Sequence, residues 1–217
     1  MALAFSAIIM SCEKDNRTEP KSVLKGRIVH DGQTIGVRSN GVQLEIWQRG
    51  YQLFTKIPVY VNQDGTFAAS LFDGNYKLVR LRGNGPWVNN TDTIEVELRG
   101  TKELDVPVNP YFVFKNDTYS KGEGKVSATF TLQKVEATGV LERVNLYIGT
   151  TTILDPNNNA ANVQQLAAAT DLTKPITLTA TLSAALAGRD YVYARIGVKT
   201  SGVGEMLFGA PQKIQLK

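Results

Sequence analysis

The chain has 217 residues, 42% of them hydrophobic and 20% charged, with a formal net charge of +4. This is an ordinary globular composition, long enough for one or two domains and unlike a disordered or fibrous chain. A single Cys and a single His exclude an intrachain disulfide and a Cys/His metal cluster. The basic residues are too scattered to build one nucleic-acid-binding face.

Residues 1–11 carry no charge and are almost wholly apolar. The run is too short to span a bilayer, which takes about 20 residues. It has the length of the apolar core of an export signal. The basic segment that normally precedes such a core is missing, so the natural start is expected upstream. The run closes on Ile9-Met10-Ser11-Cys12. This resembles the bacterial lipobox, with an aliphatic residue three before the Cys and a small residue just before it. The resemblance implies a diacylglycerol on Cys12 and loss of residues 1–11 as a signal peptide. Residues 12–22 read as a polar tether. Glu13 and Asp15 resemble the surface-export signals of Bacteroidetes lipoproteins. The expected location is therefore the outer membrane, lipid-anchored through Cys12, on the cell surface.

Residues 23–108 are built of short alternating runs between turn residues, the pattern of an all-β domain. The spacing predicts strands over 23–29, 42–48, 58–61, 66–70, 76–82, 93–98 and 104–108. In the second, Val42, Leu44 and Ile46 share one face, and Gln43, Glu45 and Trp47 the other. Asp64-Gly65 supplies the positive φ angles of a tight hairpin, and Asp73-Gly74-Asn75 marks another turn. Lys77, Arg80 and Arg82 are the densest basic cluster, which alternation splits between two faces. The order of Leu24, Gly26, Ile28, Gly41, Val42, Leu44, Asp64, Gly65, Phe67, Leu71, Gly74 and Tyr76 resembles a transthyretin-like or carboxypeptidase-regulatory-like sandwich. In that reading Phe67 and Tyr76 pack in the core.

Residues 109–217 alternate more cleanly. Val126, Ala128, Phe130 and Leu132 are expected to face inward, as are Val144, Leu146 and Ile148. The same holds for Ile176, Leu178, Ala180 and Leu182, and for Val192, Ala194, Ile196 and Val198. One apolar face per strand is what an antiparallel sandwich buries. The spacing predicts an immunoglobulin-like or fibronectin-III-like domain without its disulfide. Residues 155–162 read as a loop and 163–169 as one or two helical turns. Pro110 and the broken pattern near Asn109 mark the boundary, with a linker short enough to fix the mutual orientation.

Six segments together resemble one family of Bacteroidetes lipoproteins, the domain-of-unknown-function family 3823. They are Gly36-Val-Arg-Ser-Asn-Gly41, Leu44-Glu-Ile-Trp-Gln48, Tyr51-Gln-Leu-Phe54, Phe72-Asp-Gly-Asn-Tyr76, Gly83-Asn-Gly-Pro-Trp87 and Ala194-Arg-Ile-Gly-Val-Lys-Thr200. The resemblance implies a transthyretin-like domain followed by an immunoglobulin-like one. It also implies a gene context near outer-membrane glycan importers of the SusC/SusD type, which makes such importers candidate partners. It supplies no ligand and no catalytic residue.

For catalysis, a Ser/His/Asp arrangement would have to use His30, which ends the first strand beside Asp31-Gly32 and reads as a turn residue. Glu95 and Glu97 share the outward face of one strand and read as solvated. No phosphate loop, His-Glu-x-x-His pair or EF-hand loop appears. The run from Asp155 to Asn159 has oxygens but no carboxylate cluster. No cofactor, metal or catalytic residue is expected.

For binding, Trp47 lies on the polar face of its strand, Tyr51 follows in a glycine-marked turn, and Trp87 ends a Gly/Asn loop beside Asn89 and Asn90. Aromatic faces flanked by amides suit a sugar ring. The competing reading is that Trp87 plugs the end of its sandwich or the seam between domains, and that Trp47 packs. Asp92-Thr93-Ile94 resembles the O-glycosylation site of exported Bacteroidetes proteins, with Thr93 as acceptor. The expected function is non-catalytic polysaccharide capture beside an importer. The alternative is a scaffold that docks a partner protein without binding glycan.

Overall fold

The structure, a computed structural model, describes residues 18–50 and 54–217. Strands supply nearly all of its regular structure, in two sandwiches that follow one another along the chain. Among the described residues, no helix is long and apolar enough to cross a membrane.

The first sandwich holds β1 (Ser22–His30), β2 (Gln33–Thr34), β3 (Gln43–Gln48), β4 (Lys56–Tyr60), β5 (Thr66–Leu71), β6 (Gly74–Arg80), β7 (Thr93–Leu98) and β8 (Thr101–Pro107). One sheet places β1 between β5 and β8, with β2 continuing beside its end; the other runs β4-β3-β6-β7. All pairs are antiparallel except β1 with β8. That parallel pair forces a close approach. A Cβ on Gly26 would lie 1.8 Å from the carbonyl oxygen of Leu104, so only glycine fits there. Leu44, Ile46, Phe67 and Tyr76 face inward and are buried, as their alternation predicts.

Asp64-Gly65 does make a tight turn, with Gly65 at φ +82°. The strands it joins, β4 and β5, belong to different sheets, so the turn passes the chain across the core rather than closing a ladder. Asp31 (φ 48°) and Gly32 (φ 74°) instead close the hairpin between β1 and β2. His30 is a turn-side residue, with Nδ1 3.1 Å from the carbonyl oxygen of Val108.

The second sandwich holds β9 (Phe112–Gly122), β10 (Lys125–Lys134), β11 (Leu141–Gly149), β12 (Ala161–Leu166), β13 (Ile176–Thr181), β14 (Tyr191–Thr200), β15 (Leu207–Phe208) and β16 (Gln212–Gln215). One sheet is β13-β10-β9; the other is β12-β11-β14 followed by β15 and β16 on the free side of β14. A single helical turn, α1 (Ala184–Ala187), is capped by Ser183, whose Oγ accepts from the amide of Leu186. The alternating apolar residues of β10, β11, β13 and β14 are buried.

Of the helical turns expected over 163–169, a single short one forms, at the end of the stretch. Residues up to Leu166 form the edge strand β12, paired with β11 in alternating exposure, and only Ala167–Ala169 make a 3-10 turn. Gln, Leu and Ala are good helix formers, so the open edge of β11 overrides local propensity here.

Backbone hydrogen bonds stitch the two sandwiches together. Val88 donates to the carbonyl of Asn109 (2.9 Å), and Phe208 to that of Gly36 (3.0 Å). Arg38 forms a two-pronged ion pair with Glu205, at 3.1 and 2.7 Å. The centre of the seam is Arg195, whose residue surface is only 1% exposed. Its guanidinium donates to the carbonyls of Gly209 (2.8 Å) and Leu154 (3.1 Å) in its own domain, and Val37 (3.0 Å) and Gln63 (2.8 Å) across the seam. It also lies 4.5 Å from the ring centre of Phe208. Burial pushes its pKa down to about 10, which leaves it charged at neutral pH.

Candidate functional site

The two ends of the first sandwich differ in what they do. The end bearing the turn after His30, the loop around Gly36 and the turn at Gln63 meets the second domain. The opposite end gathers the start of β1, the turn around Asp73, the Arg99-Gly100 turn and the connection from β3 to β4. There Ser22 Oγ donates to Asp73, and the amide of Gly100 donates to Ser22 Oγ at 3.0 Å and to Asp73 at 3.1 Å. These bonds hold the Asp73 carboxyl below the usual range.

Trp47 belongs to this second end. Alternation along β3 sends Leu44 and Ile46 inward and Trp47 outward, where it is half-buried. Antiparallel pairing sets Trp47 opposite Lys56 of β4 and Lys77 of β6, and Lys77 opposite Glu95 of β7. Phe54, two residues before Lys56, folds back onto the indole, with ring centres 5.0 Å apart and planes tilted by 41°. Phe54 is 55% exposed. The two rings and the outward side chains of β6 and β7 enclose an open cavity of about 410 Å³, lined also by Arg49, Asn75 and Lys77. Its size falls in the range of small-molecule sites.

The electrostatics beneath the rings are settled internally. Glu45 is 6% exposed, and its carboxylate accepts from Lys56 Nζ (2.6 Å) and from the Trp47 indole N–H (3.2 Å). That pair of bonds fixes the plane of the indole. Lys77 is paired with Glu95 at 2.8 Å. The resulting surface is a rigid aromatic face with polar groups at its rim, the arrangement that stacks on the apolar face of a sugar ring. In the sequence Phe54 stands out only as the end of the segment Tyr51-Gln-Leu-Phe54; the pairing of Trp47 with Lys56 is what brings it to the site.

Trp87 is a correction to the expected sugar platform. It is only 6% exposed, with its ring over Gly85 and its backbone bridged to Pro110 at the domain seam. A ring so enclosed offers no face to a ligand, and the plug reading applies. Asn89 and Asn90 lie in the same loop, at the end of the sheet away from Trp47. Their side-chain oxygens fasten the loop, accepting from the amides of Gly83 and Asp92 respectively, each at 2.6 Å. The structure therefore does not bring Trp87, Asn89 and Asn90 together with Trp47. Tyr51 and Cys12 lie outside the described residues. Thr93 is exposed at the start of β7.

A larger groove of about 680 Å³ lies on the outer face of the other sheet. Its charges are matched, Lys25 with Glu103 at 2.6 Å and Arg27 with Asp105 at 2.6 Å, and the one aromatic residue in its lining, Phe67, is buried. Asp155 is 3% exposed and spends its carboxylate on the amides of Asn157 (2.7 Å) and Asn158 (2.9 Å), closing its own loop. Among the described residues, no group of three His, Cys, Asp or Glu side chains is placed to hold a metal.

The architecture is that of a protein of two tandem β-sandwiches, the first carrying the Trp47–Phe54 face open to solvent. Family comparison identifies which: residues 22–109 match the N-terminal domain of the DUF3823 proteins of unknown function, and residues 112–213 match the DUF3823 C-terminal domain. The chain belongs to the DUF3823 family. A DUF3823 protein from Bacteroides ovatus shares 37% identity, covering 91% of this chain and all of its own, with a TM-score of 0.85. One from Parabacteroides merdae shares 32% identity with the same coverage and a TM-score of 0.84. A Bacteroides uniformis protein, described as a candidate carbohydrate-binding protein, has a TM-score of 0.75 at 21% identity over the same coverage; that likeness shows the fold. A search of curated proteins returns no match.

Proposed function

We propose that this chain is a non-catalytic lipoprotein, anchored to the outer membrane through Cys12, that binds saccharide on the Trp47–Phe54 face. The observation that carries the reading is that face itself: a half-buried indole locked by Glu45 and an exposed Phe54 ring beside it, over a cavity of about 410 Å³. A protein of the same fold described as a candidate for carbohydrate binding supports it. Binding is favoured over turnover because both carboxylates at the site are committed to cations rather than free to move protons. The lipobox resemblance supports the anchor, and the resemblance to importer-associated lipoproteins supports a place beside a SusC/SusD-type importer.

The test is affinity electrophoresis of residues 18–217 through gels holding plant, host and microbial polysaccharides. Retardation by at least one polymer, lost in Trp47→Ala with the melting curve intact, is the expected result. Unretarded migration in every gel would overturn it and turn the same face into a protein-docking surface. The anchor is tested separately: Cys12→Ala, expressed with a full signal peptide, should leave the membrane fraction.

A further inference from the structure

The charges around the aromatic face do not all cancel. Glu45 is bound to Lys56, and Glu95 to Lys77. Arg49 lines the same cavity and is exposed, yet among the described residues no carboxylate, carbonyl or ring engages it. Asn75, beside it, is likewise exposed. One uncompensated guanidinium and one amide therefore stand at the rim of an otherwise neutral aromatic platform. A guanidinium presents a planar fork that matches a carboxylate with two parallel hydrogen bonds. A cation beside low-dielectric ring surface attracts an anion more strongly than the same cation on an open polar surface.

We infer that the ligand of this face is an acidic saccharide, a chain bearing uronate carboxylates, whose ring lies against Trp47 and Phe54 while Arg49 takes its carboxylate. This rests on the saccharide reading of the face and adds the chemical class. The position of Asn75 suits a hydroxyl next to the carboxylate.

The experiment compares polymers that differ only in charge. Polygalacturonate, alginate and hyaluronan are each run in affinity gels beside their methyl-esterified forms, with dextran sulfate as a plain polyanion. The expected result is that one uronate retards the protein about tenfold more strongly than its ester, roughly one charge-assisted hydrogen bond. Arg49→Gln should remove that difference and leave residual binding to the ester. Equal binding of acid and ester, a preference that survives Arg49→Gln, or equal retardation by dextran sulfate would overturn the acidic assignment. Trp47-dependent binding to neutral polymers would then still stand. No Trp47-dependent retardation by any acidic or neutral polymer would overturn the saccharide reading itself.

Discussion

Replacing Arg195 with Met should separate the two domains energetically while leaving each folded. Met keeps the length and apolar stem but donates nothing. Four backbone carbonyls then lose this donor: Gly209 and Leu154 on one side of the seam, Val37 and Gln63 on the other, of which Gln63 keeps the amide of Val37 at 3.1 Å. The bonds to Leu154 and Val37 are fully buried, and the other two partly so. A charged hydrogen bond lost in a buried place costs about 1.5–3 kcal/mol and a partly hydrated one nearer 0.5–1. Relief of the guanidinium desolvation offsets some of this. A net loss of about 3–4 kcal/mol remains. At about 2–4 °C per kcal/mol for a chain of this size, the main transition should fall by roughly 6–16 °C. Scanning calorimetry of residues 18–217 is the assay, and a second, resolved transition is expected as the domains uncouple. Arg195→Lys should recover only part, since one ammonium cannot reach all four carbonyls. A single transition displaced by less than about 2 °C would show that the seam does not depend on this side chain.

Gly26→Ala drives a Cβ into the carbonyl of Leu104 at 1.8 Å, and should cost more than about 3 kcal/mol or prevent folding, read as loss of soluble protein. The Asp73 carboxyl is held low by Ser22 Oγ and the Gly100 amide. A depressed carboxyl stabilises the fold above its unfolded pKa near 4, and that contribution is lost as pH falls through the lower folded value. Asp73→Asn should therefore lower the melting temperature at pH 7 and flatten its decline below pH 4, measured by circular dichroism across pH. Natively exported protein should carry added hexoses that disappear in Thr93→Val, read by intact mass.

The strands were legible wherever one face is buried and the other wet. Val126 to Leu132, Val192 to Val198 and Thr93 to Leu98 gave themselves away by period alone. What escaped was everything decided by a second domain. Arg195 sits on the outward side of β14, where alternation places a solvated residue, and it is buried because the Val37 and Gln63 loops settle onto it. Trp87 in its Gly/Asn loop had the composition of a ligand platform, and the same contact between domains encloses it. Trp47 was placed on the correct side of β3, but its partner Phe54 depends on strand register across a connection that composition does not encode. Residues 163–166 show the same limit, since the open edge of β11 outweighs their local helical preference.

The hydrogen-bonded clasp of Ser22, Asp73 and Gly100 fixes where the chain leaves the first sandwich, at the end that carries Trp47 and Phe54. With Cys12 acylated, as proposed, the ten residues from Cys12 to Ser22 allow a stand-off of at most about 36 Å from the lipid. The aromatic face would then hang low and sideways over the bilayer, while the second domain forms the outer crown. A polymer would have to lie along the membrane plane to reach it, in the layer where the mouth of a membrane-embedded transporter opens. Lengthening the tether would lift the face out of that layer without altering a single contact within it.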